Sequence, residues 1–252
     1  MLKVFIVGIS GKMGKMICNA AQSSDDIEIC GGLDAFDGGV FPTFKRAADV
    51  NVAADVIIDF SRPETLDEVI SLCDKLSCPA VIATTGYDDG QLKKIDELSK
   101  RRGVLISGNM SFGVNLLTEL VKSSAAALGV DFDVEIVEKH HNMKVDAPSG
   151  TALMLAQSAA EARKEKSKIV AGRSGKSCKR ERGDIGISSV RGGTIVGQHD
   201  VEFIGDDEII TLSHTALSRK IFAFGSLKAA RFMAGKKSGK YDMKDVLGIK
   251  KV

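Results

Sequence analysis

The stretch KVFIVGISGKMG, residues 3–14, is the segment from which the fold can be worked out. A short apolar run ends at Gly8, two more glycines follow at three-residue spacing (Gly11 and Gly14), and an amphipathic segment begins. A strand, a glycine-rich turn and a helix in this order are typical of the first unit of a dinucleotide-binding domain. Glycines allow the backbone to approach a pyrophosphate, and the helix N-terminus offers it N–H groups. A tight turn without a ligand is the alternative.

An acidic residue at the end of the second predicted strand favours the dinucleotide interpretation. Asp34 follows Gly14 by about twenty residues, the distance at which a carboxylate binds a ribose 2′-hydroxyl. The same carboxylate repels a 2′-phosphate, and Ala35 and Phe36 offer no arginine to bind one. The residues therefore favour NADH over NADPH, although Lys12 and the nearby basic pair at 45–46 point the other way.

Apolar runs alternate with helical stretches through the first half of the chain. The runs lie at residues 3–8, 27–34, 54–60, 79–85 and 103–109, and the helical stretches at 12–23, 63–76 and 91–102. Strands that are apolar throughout indicate a parallel sheet covered on both faces. We therefore predict an α/β protein with a Rossmann-like, doubly wound parallel sheet.

The rhythm changes after Asn115, which predicts a second domain. A helix reaches Leu128, and after it come a strand at 132–138, a helix from about Thr151, and strands near 185–191, 194–205 and 208–216 with hairpin spacing. This pattern predicts an α+β domain with a mixed or antiparallel sheet. The dinucleotide domain is assigned to residues 1–114, completed by an amphipathic helix and tail at 219–252, and the second domain to 115–218.

Two turns follow the third and fourth predicted strands, FSRPE at 60–64 and ATTGY at 83–87. In a doubly wound sheet, ligands bind outside the carboxyl ends of the strands. Small hydroxyl residues in these turns are therefore candidates to line the nicotinamide and its ribose. The alternative is that Ser61 and Thr85 only cap helices.

The loop EKHHNMKVDAPSGTA, residues 138–152, concentrates titratable and turn-forming residues. His140 or His141 can donate a proton near neutral pH, Lys144 can pair with a carboxylate, and the PSGT turn opens a helix that can present N–H groups to an anion. One alternative is a metal site that draws on both histidines with Glu138 and Asp146, although adjacent histidines rarely ligate one ion. Another is that Asp146 only caps the turn.

Composition excludes several classes of protein. A formal net charge of +2 over 252 residues gives no global field for nucleic acid or an anionic membrane, so we expect neither partner. The five cysteines show no C-x-x-C pair, and the apolar start is too short for a signal peptide or a spanning helix, so we expect a cytoplasmic protein without a structural metal. The basic run at 172–183 is interpreted as a solvated loop or a lid over a dianionic substrate.

The loop at 138–152 closely resembles the signature E-x-H-H-x-x-K-x-D-A-P-S-G-T-A of the 4-hydroxy-tetrahydrodipicolinate reductases, also called dihydrodipicolinate reductases. Further family-like segments, in family order, are VGISGKMG, DFSRPE, TTG, NMSFGVN, SSVRGGTIVGQHDVEF, ALSRKIFAFGSLKAA and YDMKDVLG. The resemblance implies NAD(P)H-dependent reduction of a cyclic imine dicarboxylate, with loss of water, on the diaminopimelate route to lysine. It also implies a homotetramer built through the second domain's sheet.

The resemblance also implies roles for particular residues. His140 is the expected proton donor, with Lys144 as its partner in catalysis and substrate binding. The remaining expected substrate contacts are His141, Ser149, Gly150 and Thr151. The expected cofactor contacts are Gly8, Gly11, Lys12, Met13, Gly14, Asp34, Phe60, Ala83, Thr84, Thr85, Asn109, Met110, Ser111, Phe112 and Arg219.

Two positions depart from the family pattern. Ala83 stands where a glycine is usual, and Ala35 stands where many members have an arginine that assists a 2′-phosphate, which again favours NADH. Two other functions remain open at this point: a different reductase on the same scaffold, such as an amino-acid dehydrogenase, and a dinucleotide sensor without catalysis.

Overall fold

The computed structural model describes residues 1–163 and 165–249 and divides the chain into two compact units. Unit 1 combines Met1–Phe112 with the segment that starts at Lys220, and unit 2 is Gly113–Arg219. The junctions lie one or two residues from the predicted boundaries. Residues 250–252 of the predicted first domain lie outside the described residues.

Unit 1 contains a seven-stranded sheet in which every pair of neighbouring strands is parallel. The order across the sheet is β12-β6-β5-β4-β1-β2-β3. The strands are β1 (Leu2–Val7), β2 (Ile27–Leu33), β3 (Thr43–Phe44), β4 (Val56–Asp59), β5 (Ala80–Ile82), β6 (Gly103–Ile106) and β12 (Gly239–Tyr241). The central strands β1 and β4 are buried on both faces, which explains their unbroken apolar runs. The predicted Rossmann-like sheet is confirmed.

Helices cover the sheet of unit 1 and bury two apolar clusters against it. They are α1 (Lys12–Ala21), α2 (Leu66–Leu76), α3 (Asp89–Ser99), α6 (Lys220–Met233) and α7 (Met243–Leu247), with short 3₁₀ turns at Ala47–Asp49 and Pro63–Thr65. Helix α6 lies beside α1 and contacts β4, β5 and β6. Gly225 makes its close packing possible, because a Cβ there would lie 1.8 Å from the backbone oxygen of Met110.

Unit 2 has a five-stranded mixed sheet in the order β11-β10-β7-β9-β8. Its strands are β7 (Asp133–His140), β8 (Lys168–Ala171), β9 (Asp184–Arg191), β10 (Gly197–Ile204) and β11 (Ile209–Ala216). The pairs β7–β9 and β8–β9 are parallel, whereas β7–β10 and β10–β11 are antiparallel. Helices α4 (Phe112–Leu128) and α5 (Gly150–Ala162) contribute to a large core cluster of this unit. The predicted mixed sheet is confirmed.

The structure adds four elements that sequence patterns did not predict: β3, β8, β12 and α7. Each has two to five residues, too few to show a helical or strand period. Within residues 1–163 and 165–249, no helix has both the length and the apolar character needed to cross a bilayer.

The basic run at 172–183 is tied to the sheet of unit 2 by ion pairs. Arg173 lies 2.7 Å from the Glu135 carboxylate on β7 and 3.5 Å from Asp184 on β9. Arg180 also pairs with Glu135 and lies 2.9 Å from Asp133. These positive charges are therefore neutralised within the fold, which the sequence interpretation of a solvated loop or lid did not anticipate.

Candidate active site

The strand order of unit 1 reverses between β1 and β4, and a cavity of about 560 Å³ opens at their carboxyl ends. Its lining comes from the ends of β1, β2 and β4 and the loops that follow them. The lining residues are Val7, Gly8, Ser10, Gly11, Lys12, Leu33, Asp34, Ala35, Phe36, Phe60, Ser61, Arg62 and Thr65. This is the place at which a doubly wound sheet binds its ligand.

The glycine turn brings three chain segments into backbone contact. Gly8 has a φ of +85°, and a Cβ there would lie 2.6 Å from the Phe60 carbonyl oxygen. A Cβ on Gly14 would lie 2.3 Å from the oxygen of Gly8. Gly11 is the N-cap residue of α1 and has no side chain to cap the helix, so the first N–H groups of α1 are accessible to an anion. The turn therefore fits the pyrophosphate of a dinucleotide.

Asp34 lies at the end of β2, where the acid was predicted. Its carboxylate accepts hydrogen bonds from the backbone N–H groups of Ser10 (3.0 Å) and Phe36 (3.2 Å). Partial burial acts to raise the pKa of Asp34, but these donors outweigh it and lower the pKa. The carboxylate is therefore ionised at neutral pH and lies in the cavity lining.

The loops after β4 and β5 are joined through a buried carboxylate that sequence reasoning missed. Asp59 is fully buried and accepts hydrogen bonds from the Ser61 N–H (3.0 Å), the Ser61 hydroxyl (2.5 Å) and the Tyr87 hydroxyl (3.2 Å). Burial raises the pKa of Asp59, and the donors act against that shift. The Ser61 N–H also donates to the hydroxyl of Thr84 (3.0 Å).

The capping alternative for Ser61 and Thr85 is wrong. The caps of α2 and α3 are Thr65 and Asp88, and the Pro63–Thr65 turn is preceded by Arg62. Ser61 and Thr84 instead cross-link the two loops, while Ala83 is buried and Thr85 is exposed. An Asp at the end of an apolar strand, followed by a Ser two residues later, was the available sequence signal for Asp59.

The segment 109–112, the last predicted part of the cofactor pocket, folds into a turn in which the Ser111 N–H donates to the side-chain oxygen of Asn109 (2.9 Å). Met110 is buried against α6, and the ring of Phe112 lies 4.6 Å from the Lys228 ammonium. Of the predicted cofactor residues on α1, Lys12 is exposed and Met13 packs against the core.

In unit 2 the predicted proton donor lies at the end of β7, on the inward face of the strand. Val134, Ile136, Glu138 and His140 alternate along this face, and all four are buried. The His140 Nδ1 lies 2.6 Å from Glu138 Oε2. Because side chains of a strand alternate between its two faces, the Glu138 carboxylate and the His140 imidazole lie on the same face as the core residues that precede them.

Glu138 is held by an arginine from the neighbouring strand. The Arg191 guanidinium donates to both carboxylate oxygens of Glu138, at 2.7 and 2.8 Å, and the Ser149 N–H donates to Oε1 at 3.0 Å. Burial alone would raise the pKa of Glu138, but Arg191 and His140 lower it to about 2. The pKa of His140 itself is lowered by burial, which Glu138 partly offsets.

A second histidine, which sequence analysis did not single out, lies edge-on to His140. The ring centroids of His140 and His199 are 5.2 Å apart, at an interplanar angle of 73°. Burial lowers the pKa of His199 to about 4, so this ring is neutral at pH 7. Its Nε2 lies 3.1 Å from the hydroxyl of Ser149. The alternation of residues along β10 could have identified His199 in the sequence, because His199 falls on the buried face of that strand.

Ser149, predicted as a substrate contact, is almost fully buried and is the N-cap of α5, where its hydroxyl accepts the Ala152 N–H at 3.2 Å. Its hydroxyl is therefore occupied by the fold. Gly150 and Thr151 form the first turn of α5, and Gly150 is exposed with open space around its Cα. The anion-binding potential of this turn thus lies with the backbone of Gly150 and Thr151.

Three more side chains of the loop, those of His141, Lys144 and Asp146, are paired with protein groups. The Lys144 ammonium lies 2.7 Å from the Asp146 carboxylate, and this contact lowers the pKa of that carboxyl. Arg219 Nη2 lies 3.3 Å from His141 Nε2. All four side chains of the alternative metal site therefore have protein partners, and no group of three potential metal ligands occurs in the described part of the chain.

Comparisons with known proteins cover nearly the whole chain. The family model for the dihydrodipicolinate reductase N-terminus matches residues 2–110, and that for the C-terminus matches residues 113–247. A 4-hydroxy-tetrahydrodipicolinate reductase of Clostridium novyi is 48% identical over 252 residues, covering 99% of this chain and 100% of the relative. One from Clostridium tetani is 46% identical and covers 96% of each chain.

A solved structure shares both units. The dipicolinate-bound dihydrodipicolinate reductase from Paenisporosarcina sp. TG-14 superimposes with a TM-score of 0.79 at 27% identity, over 97% of this chain and 99% of that one. Sequence and structure agree along both units. The chain therefore belongs to the dihydrodipicolinate reductase family, and it is an oxidoreductase that reduces 4-hydroxy-tetrahydrodipicolinate on the diaminopimelate route to lysine.

Proposed function

We propose that His140 is the proton donor of this reduction and that Lys144 is its partner in catalysis and substrate binding. The observation that carries the proposal is the buried contact between Glu138 and His140, 2.6 Å long, at the end of β7. It holds a titratable imidazole at the start of a loop that also contains Lys144 and the first turn of α5. A proton donor, a cation and a helix N-terminus suit a cyclic dicarboxylate that must gain a proton.

The proposed chemistry balances with one hydride and one proton. Loss of water from the hydroxylated ring gives a conjugated carbon–carbon double bond. When bound, the nicotinamide cofactor supplies the hydride to one carbon of that bond. His140 gives its proton to the other carbon, Lys144 pairs with a substrate carboxylate, and the N–H groups of Gly150 and Thr151 receive another. The related Paenisporosarcina enzyme holds dipicolinate, a ring with two carboxylates, which supports a dicarboxylate substrate here.

We propose that NADH is the favoured cofactor. The Asp34 carboxylate is held ionised in the cavity lining, where it would accept from the ribose hydroxyls and repel a 2′-phosphate. Ala35 contributes no positive charge beside it. Lys12 and Arg62 also line the cavity, and their charges are available to the pyrophosphate or to a 2′-phosphate.

The test follows nicotinamide absorbance with substrate made in place from pyruvate and aspartate semialdehyde by the preceding synthase. We expect synthase-dependent oxidation that is faster with NADH than with NADPH. His140→Ala should reduce turnover by about 10²–10⁴-fold while nucleotide affinity, measured by fluorescence titration, stays within about twofold. Equal losses of turnover and affinity would remove His140 from the proposed role, and equal rates with both cofactors would remove the preference for NADH.

We also propose a cytoplasmic homotetramer that assembles through the sheet of unit 2. All five cysteines are free thiols, which suits a reducing compartment. Strand β11 lies at the edge of that sheet and leaves Ile209 (61%) and Ile210 (37%) exposed, an apolar edge of the kind that pairing covers. Neither nucleic acid nor a membrane is among the proposed partners.

A further inference from the structure

We propose that Glu138 is a positioning residue that sets the tautomer and ring orientation of His140, and that Arg191 holds Glu138 in place for this purpose. The inference rests on the proposed function, in which His140 donates the proton. It adds two residues, one from β7 and one from β9, that act through the imidazole without touching the substrate.

The hydrogen bonds around Glu138 leave its carboxylate no freedom to turn. Oε1 accepts from Arg191 Nη2 and the Ser149 N–H, while Oε2 accepts from Arg191 Nη1 and lies against His140 Nδ1. Arg191 is itself fixed by donating to the backbone oxygens of Val190 and Asp146, at 2.8 and 2.6 Å. Sheet pairing supplies this arrangement, because β9 aligns Arg191 with His140.

The protonation of His140 follows from these contacts. An ionised carboxylate only accepts hydrogen bonds, and Glu138 stays ionised with its pKa near 2. His140 Nδ1 must therefore carry a hydrogen whether the ring is neutral or charged. Nε2 is then the nitrogen that gains and loses a proton, and it is the nitrogen available for proton transfer.

The His140 side chain keeps 11% of its surface exposed, and among the described residues no hydrogen bond to its Nε2 occurs. Gly197 on β10 lies next to it, and a Cβ at that position would be 3.0 Å from Nε2. The neighbouring ring of His199 is neutral and is occupied by Ser149. A carboxylate at one ring nitrogen, with no protein hydrogen bond at the other among the described residues, is the arrangement by which a carboxylate orients a histidine for general acid–base catalysis.

Four side chains face His140 and decide its charge. Glu138 on β7 favours the imidazolium, whereas Lys144 in the loop and Arg191 on β9 disfavour it, and His199 on β10 contributes burial without charge at neutral pH. Removal of the Glu138 charge leaves two cations and a buried site, so the ring becomes harder to protonate. A proton donor that titrates at lower pH is protonated in a smaller fraction of enzyme at neutral pH.

The test compares the wild type with Glu138→Gln, which keeps the shape and removes the charge. The chain has four histidines, so ¹⁵N-labelled histidine and single His→Asn variants assign each ring. We expect wild-type His140 to be protonated at Nδ1 when neutral, and we expect Glu138→Gln to lower its pKa by about one unit or more and mix its tautomers. The alkaline limb of kcat/KM should move to lower pH by the same amount. Glu202→Gln on β10 is the matched control and should change neither.

A second pair of variants keeps the test decisive if Glu138→Gln folds poorly because Arg191 is left unpaired. Glu138→Gln combined with Arg191→Met removes both charges and should still mix the His140 tautomers. In a His140→Asn background, Glu138→Gln should have no further effect on turnover. A wild-type His140 protonated at Nε2 when neutral, or a pKa that Glu138→Gln leaves unchanged, would overturn the proposal. The ring measurement needs no turnover, so it separates this inference from failure of His140 as the donor.

Discussion

At the scale of single residues, Glu138 connects stability to pH. Its folded-state pKa is about 2, below its ordinary value of 4.5, so the folded state holds this carboxyl ionised where the unfolded chain would protonate it. The stability that it contributes is present above about pH 4.5 and is lost as pH falls towards 2. We expect the midpoint of urea unfolding, measured by circular dichroism, to decrease as the pH is lowered through this range.

Glu138→Gln provides the comparison, since it has no carboxyl to protonate. Its midpoint should be lower than that of the wild type at pH 7, and the difference between the two should shrink as pH falls below 4.5. A difference that stayed constant from pH 7 to pH 3 would mean that Glu138 does not carry this part of the acid sensitivity.

Gly14 is the position in the nucleotide turn that is least tolerant of an added side chain. A Cβ would lie 2.3 Å from the oxygen of Gly8 and 2.6 Å from that of Ile9, and both are backbone atoms that move only with the turn. We expect Gly14→Ala to weaken NADH binding by on the order of tenfold or more and to lower the thermal midpoint, because displacement of the turn misplaces its N–H groups.

The control for Gly14→Ala is Gly192→Ala, where the same added methyl meets nothing within 4 Å. This variant should bind NADH as the wild type does, in a fluorescence titration, and should melt at the same temperature. If Gly14→Ala also bound NADH normally, the turn would not be the pyrophosphate site.

At the scale of elements, helix α5 begins at a cap that also serves the histidine cluster. Ser149 accepts the Ala152 N–H and contacts His199 Nε2 in a buried site. Ser149→Ala removes both contacts, and we expect a loss of about 2–3 kcal/mol: about 1 for the cap and the rest for the buried imidazole left without its partner. Chemical denaturation measures this loss.

Asp88→Ala on α3 is the matched variant, because Asp88 caps its helix at an exposed position through the Gln91 N–H at 2.7 Å. It should cost only about 1 kcal/mol. Equal losses in the two variants would mean that the contact between Ser149 and His199 contributes nothing to stability.

At the scale of the whole molecule, the proposed tetramer predicts a mass of four times 26.8 kDa in sedimentation equilibrium. Ile209→Asp places a charge on the exposed edge strand β11 and should shift the protein towards smaller species. Leu92→Asp, at an exposed apolar position on α3 of unit 1, is the control and should leave the mass unchanged. A monomeric wild type, or an Ile209→Asp tetramer of undiminished stability, would contradict assembly through this sheet edge.

The sequence by itself determined the parallel sheet, the mixed sheet and the glycine turn. Their signals are local: unbroken apolar runs for strands buried on both faces, and glycines where only a missing Cβ lets Gly8 and Gly14 approach other backbone. The loop signature was equally local, since the residues of 138–152 are contiguous. Four short elements were not predicted, because segments of two to five residues are too short to show a helical or strand period.

Only the tertiary structure decided what surrounds each reactive group. Arg191 meets Glu138 across 53 residues of chain, and Ser149 meets His199 across 50. Pairing of β7 with β9 creates the first contact, and packing of the start of α5 against β10 creates the second. No spacing rule predicts either the register or the packing of segments so distant in sequence. Ser149, an expected substrate contact, is also the buried N-cap of α5, which its position in the sequence did not reveal. The identity of each reactive residue can thus be read from the sequence. The charge state and orientation of its side chain depend on neighbours that only folding brings together.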